Sequence, residues 1–194
     1  VKQLQKEVFP ITPQRYPRIR LVPVQALSAP GLGQALSQET VTPAQRMKQL
    51  LEERGFQVEI YRSPFEQAAA DNAPDLMKVY TEGKSAVAEF AAEQDLVLTL
   101  GNIETHFQTV ERVAWSMTKG GGQIPWYVHE VPVVVVSTSN PFFLADVPQA
   151  RTYINCYDAA PWTLEALVDK LMGKSPFVGT DPVDAFCGLW DTHL

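Results

Sequence analysis

The chain has 194 residues, 45% hydrophobic and 20% charged, with a net charge of −6 at neutral pH. That length and balance fit one globular domain that can bury a core without staples. They exclude nucleic acid as a partner, since no lysine or arginine run forms a basic stripe, and a membrane span, since no apolar run nears ~18 residues.

In chain order, Arg18–Val24 (RIRLVPV) predicts a first strand, followed by a loop rich in Ser, Pro, Gly and Gln. Thr42-Pro43 opens a helix, with threonine as the cap and proline at the first helical position. The helix runs through AQRMKQLLEER with Met47, Leu50 and Leu51 on one face, and Gly55 ends it. Gln57–Tyr61 predicts a short strand, and 75–94 a helix carrying Leu76, Val79, Tyr80, Val87 and Phe90 at helical spacing. Asp95–Leu100 (DLVLTL) is a continuous apolar strand that Gly101 closes. Glu104–Met117 reads as a helix with Val110, Val113, Ala114 and Met117 inward, stopped by Gly120-Gly121-Gly122. Val131–Ser137 and Arg151–Cys156 are further strands, and Pro161–Met172 is a final helix ended by Gly173. This alternation predicts an α/β fold: a mostly parallel sheet with helices on both faces, a three-layer sandwich.

The tail 174–194 has neither helical nor strand period, yet it carries Phe186, Leu189 and Trp190. So many large apolar groups predict a docked segment rather than a frayed end.

Ligands of such sheets bind beyond the carboxyl ends of the strands. The loops expected there are 101–106, 137–141 and 155–158, which supply Asn102, Glu104, His106, Thr138 and Asn140; ordinary turn chemistry accounts for the same residues. The glycine-rich stretches lack both the dinucleotide and the phosphate-loop spacing. His106, His129 and His193 have no nucleophile in an activating motif. Cys156 and Cys187 form no zinc pattern, though the two could bridge. Glu104 is well placed for acid/base work, but spacing assigns it no carboxylate mate. The residues alone therefore define an α/β domain with a cleft and no complete catalytic set. A free-standing sugar- or nucleotide-binding module fits them as well.

Three stretches carry a resemblance. Val8-Phe9-Pro10-Ile11-Thr12-Pro13 followed by PRIRLVPV resembles the opening of the second, α/β-sandwich domain of glycoside hydrolase family 3. Gly101-Asn102-Ile103-Glu104-Thr105 and Pro125–Pro132 (PWYVHEVP) are similar to its β-N-acetylglucosaminidase branch. So is the last third: NPFFLADVPQARTYINCY, LEALVDKLMGK, SPFVG and PVDAFCGLWDTHL.

The resemblance implies a C-terminal domain, residues 1–194, whose catalytic partner is an N-terminal TIM-like barrel of the same polypeptide. That barrel would bind the β-N-acetylglucosaminide and supply an aspartate nucleophile and an Asp–His acid/base pair in a K-H-F-P-G-H-G-D type motif, which this sequence lacks. The chain opens on Val1 rather than methionine and shows no leader, which fits a processed chain or a piece of a longer one. The implied chemistry is retaining, through a glycosyl-enzyme released to water or, in some relatives, to phosphate. No metal or organic cofactor is implied. This domain is then non-catalytic alone, with Asn102, Glu104, His106, Thr138 and Asn140 walling the cleft. Phe186, Leu189 and Trp190 form a domain seam, and an uncovered seam implies self-association of the isolated domain. In the family's β-glucosidase branch the second domain donates an acid/base glutamate; there Glu104 would be the first candidate and Glu130 a poor second.

Overall fold

The structure is a computed structural model and describes residues 2–3, 6–25, 41–62, 87–103, 105–106, 109–110 and 126–188. Its main sheet is built from β1 (Lys2–Gln3), β2 (Arg18–Gln25), β3 (Gln57–Ile60), β4 (Leu96–Asn102), β7 (Val133–Ser137) and β8 (Thr152–Asn155). The spatial order is β1-β8-β7-β4-β2-β3. Neighbours from β8 through β3 pair in parallel, and the short β1 adds an antiparallel edge to β8. The predicted α/β class and mostly parallel sheet are what the chain forms.

β4 and β7 are buried along almost their whole length because both their faces are covered. Strand side chains alternate between faces. Ile19 and Leu21, Leu96, Leu98 and Leu100, and Val134 and Val136 join one buried cluster with helices α1 (Pro43–Glu52) and α4 (Pro161–Leu171). Val22 and Val24, Val97, and Val133 and Val135 join a second cluster with Phe90 of α2 (Val87–Glu93), the 3-10 turn Trp126–His129 and the short helix α3 (Phe143–Asp146). Helical elements therefore lie on both faces.

Local chemistry sets the boundaries as the sequence predicts. The Thr42 hydroxyl accepts from the Gln45 backbone N–H at 3.2 Å, and the Gln45 side chain accepts from the Thr42 backbone N–H at 2.8 Å. This reciprocal box satisfies two donors that a helix start otherwise leaves open. Gly55 at φ 92° and Gly173 at φ 75° take up left-handed backbone just past α1 and α4.

Two expectations need correction. Gly101 does not close β4; it lies within the strand, which continues to Asn102. Its lack of a side chain serves packing instead: a Cβ there would lie 2.5 Å from the Phe143 ring. The helix expected over Glu104–Met117 does not begin there either. Thr105–His106 (β5) and Thr109–Val110 (β6) form a small antiparallel pair. Three of these four residues are β-branched, which favours extended backbone over the helical period read from Val110 onward. Residues 111–125 of that stretch, and 75–86 of the other predicted helix, lie outside the described residues.

The tail beyond Gly173 is irregular but docked over its described part. Phe177 packs on the first cluster and meets the Phe9 ring at 5.6 Å. Phe186 is half-buried against the second cluster. The tail thus passes from one helical layer to the other around the β8 side of the sheet.

Candidate functional site

Topology decides where a crevice opens. From β2 the chain goes to β3 on one side, then to β4, β7 and β8 on the other. The carboxyl ends of β2 and β4 are therefore the switch point of the sheet. Gln25 and Asn102, the last residues of those strands, stand opposite each other there.

Beyond β4 and β7 the predicted loop residues converge, and their polar groups bind one another or nearby backbone. The Thr138 hydroxyl, 1% exposed, lies 3.1 Å from both the Gly101 carbonyl and Asn102 Oδ1. Asn140 Nδ2 donates to the Ile103 carbonyl at 2.8 Å, and Ser137 Oγ donates to the Asn140 carbonyl at 2.6 Å. Asn140 Oδ1 in turn accepts from the Phe142 backbone N–H at 3.0 Å, an Asx turn that launches α3. Asn102, Thr138 and Asn140 therefore form one rigid hydrogen-bonded corner between β4 and β7. His106 lies in β5 just beyond it. Glu104, Leu189 and Trp190 lie outside the described residues. Glu130 is exposed and precedes β7, at the amino end of the sheet and away from this corner.

A second polar cluster, at the end of β8, joins the tail to the sheet. Asp181 Oδ2 accepts from Asn155 Nδ2 at 2.6 Å, Oδ1 accepts from the Tyr157 hydroxyl, and Oδ1 also accepts from the Val183 N–H at 3.1 Å. Tyr157 adopts φ 64°, which turns its ring toward the tail. Burial and the Asp181 carboxylate push its phenol up to about 12. Beside this cluster, between β8, α4 and tail residues 177–181, lies a cavity of about 350 Å³. Cys156 lines it as a free thiol that burial pushes up to about 12, and Cys187 is likewise unbridged. Among the described residues no cluster of His, Cys, Asp and Glu could hold a metal ion.

Sequence reasoning found the β4–β7 corner and missed the pairing of Tyr157 with Asp181. The available signal was Asp181-Pro182, a turn dipeptide whose carboxylate is free to reach back. Nothing in the spacing shows that it returns to β8.

This sheet and its loops extend to known proteins. A protein from Cellulomonas fimi named beta-N-acetylglucosaminidase/beta-glucosidase is 41% identical over 189 residues, covering 96% of this chain and 30% of its own. The solved structure titled beta-glucoside phosphorylase BglX superposes with a TM-score of 0.73 at 31% identity, over 100% of this chain and 30% of that one. A glycoside hydrolase family 3 beta-N-acetylglucosaminidase from Paenibacillus sp. str. FPU-7 shares the fold, with a TM-score of 0.51 at 16% identity over 89% of this chain and 28% of its own. No protein-family model matches the chain. The chain spans about 30% of the length of the first two of these relatives.

A parallel α/β sandwich with this likeness defines a partial domain of a glycoside hydrolase. Over nearly its whole length the chain is similar to part of the Cellulomonas fimi protein and of the phosphorylase, and it shares its fold with the α/β part of a glycoside hydrolase family 3 enzyme.

Proposed function

We propose that this domain is the non-catalytic, accessory half of a family 3 enzyme that removes terminal β-N-acetylglucosamine, and that it packs against a TIM-like barrel of the same polypeptide. The reading rests on the 41% identity, over nearly the whole chain, to the Cellulomonas fimi protein of that name. The β4–β7 corner supports it: Thr138 is bonded to Asn102 and Asn140 to backbone groups of Ile103 and Phe142, which suits a fixed wall better than groups that must move protons.

In this reading the corner, together with Glu104 and His106, walls one side of the substrate cleft. Phe186, Leu189 and Trp190 contribute to the seam with the barrel. An aspartate of the barrel attacks the anomeric carbon and the glycosyl-enzyme is then released, giving retention of configuration. The match to the phosphorylase favours a second reading of the last step, release to phosphate rather than to water.

The test assays the 194-residue chain and the full-length protein on a chromogenic N-acetyl-β-glucosaminide, with and without phosphate. The chain alone is expected to be inert and the full-length protein active. Stimulation by phosphate, with a sugar phosphate as product, selects the second reading. Turnover by the lone chain that disappears in Glu104→Gln overturns the accessory role. Loss of full-length activity in the same variant means that this domain donates the acid/base group.

A further inference from the structure

The tail crosses the end of β8 between two seated rings. Phe177 packs on the first cluster and against Phe9, and Phe186 on the second. Between them Val178, Gly179, Thr180, Asp181, Pro182 and Val183 are all exposed. Among the described residues, 175–183 share no backbone–backbone hydrogen bond with the sheet or the helices. What separates this span from β8 and α4 is the cavity of about 350 Å³, walled on the far side by Ile154, Cys156 and Leu167. A segment lying over a void forgoes the dispersion contacts of a filled interior. Few buried contacts and an exposed backbone mark the parts of a fold that open first.

Asp181 fastens this span to β8. Its Oδ2 accepts from Asn155 Nδ2 at 2.6 Å, and its Oδ1 accepts from the Tyr157 hydroxyl and from the Val183 N–H at 3.1 Å. An ionised acceptor makes these bonds stronger than neutral ones, yet all three partners and the carboxylate meet at the surface, where water competes for them. Tyr157 reaches the carboxylate from left-handed backbone at φ 64°, which is unfavourable for a residue with a Cβ. Closure therefore opposes a local backbone cost. The start of the tail is held separately, by Lys170 Nζ donating to the Pro176 carbonyl at 2.6 Å.

We propose that residues 178–183 form a lid that swings off the end of β8 while Phe177 and Phe186 stay seated and the sheet stays folded, with Asp181 as its clasp. Opening uncovers the cavity and with it the free Cys156 thiol on its wall. Cys187 is exposed with the lid closed and serves as an internal reference.

Iodoacetamide labelling of the 194-residue chain, read by mass spectrometry on the separate tryptic peptides of Cys156 and Cys187, tests this. Cys156 is expected to react about tenfold or more slowly than Cys187. Asp181→Ala should speed Cys156 by about fivefold or more, and Tyr157→Phe, which removes one of the three bonds, by about twofold or more. Hydrogen exchange of the β8 amides 153–155 should stay unchanged in both variants. Gly101→Ala, which lowers global stability without touching the lid, should leave Cys156 labelling unchanged in the absence of urea. Labelling of Cys156 as fast as Cys187 in the parent chain, no acceleration in Tyr157→Phe or in a folded Asp181→Ala variant, equal acceleration in Gly101→Ala, or a matching rise in β8 exchange overturns the proposal.

Discussion

Gly101 shows how little a residue's type says about why it is there. At the end of an apolar run it has the look of a strand terminator, yet the backbone continues and the missing Cβ makes room for Phe143, whose nearest ring atoms would lie 2.5 and 2.8 Å away. Gly101→Ala is expected to lower stability by about 1–3 kcal/mol through overpacking. Combining it with Phe143→Leu should cost less than the sum of the two, a coupling that urea melts of the four variants would measure. Asp95 illustrates a charge effect at the same scale. Its carboxylate accepts from the Arg18 guanidinium at 2.8 and 3.1 Å and from the Arg18 backbone N–H at 2.9 Å, and those bonds hold its pKa below the ordinary carboxylate value. A lowered folded value means stability that is present above the unfolded value near ~3.9 and lost as pH falls through the folded one. Thermal melts of Asp95→Asn between pH 5 and pH 2 should fall less steeply than those of the parent protein. Equal acid slopes would rule the pair out as a contributor.

Elements ended where the backbone chemistry was local and went astray where it was not. The α1 start was legible because Thr42, Pro43 and Gln45 supply the cap within four residues. Thr42→Ala is expected to cost about 1 kcal/mol, read as a shift of the urea midpoint with the slope unchanged. The stretch after β4 failed for the opposite reason: Val110, Val113, Ala114 and Met117 fit a helical period on paper, but Thr105–His106 pairs with Thr109–Val110. Short segments rich in β-branched residues fit either pattern until a neighbouring strand decides. Helix α3 escaped notice as well, since its four residues are too few to show a period. The tail is an element only through its contacts. Phe177 on Phe9 and Asp181 on Asn155 and Tyr157 join segments far apart in the chain.

For the whole molecule, the question is which surface a companion domain would cover. Trp162, in the first turn of α4, is 72% exposed, and Val178, in the tail, is 79% exposed. Large apolar groups in that position are the kind a domain interface covers. Sedimentation velocity of the 194-residue chain from about 5 to 200 μM is expected to show concentration-dependent association that Trp162→Glu weakens. A single monomeric species across that range, in both proteins, would argue against an uncovered seam.

The sequence by itself determined the class of fold, because uninterrupted apolar strands alternating with amphipathic helices can be buried only inside a parallel sheet covered on both faces. It also determined the positions of Asn102, Thr138 and Asn140, since loops after such strands are set by chain order. Only the tertiary structure decided what those groups do, closing Thr138 on Asn102 and Asn140 on the Ile103 backbone, and brought Asp181 back across 24 residues to Tyr157. Hydrogen bonds between distant segments leave no period in the sequence, so packing alone selects the partners.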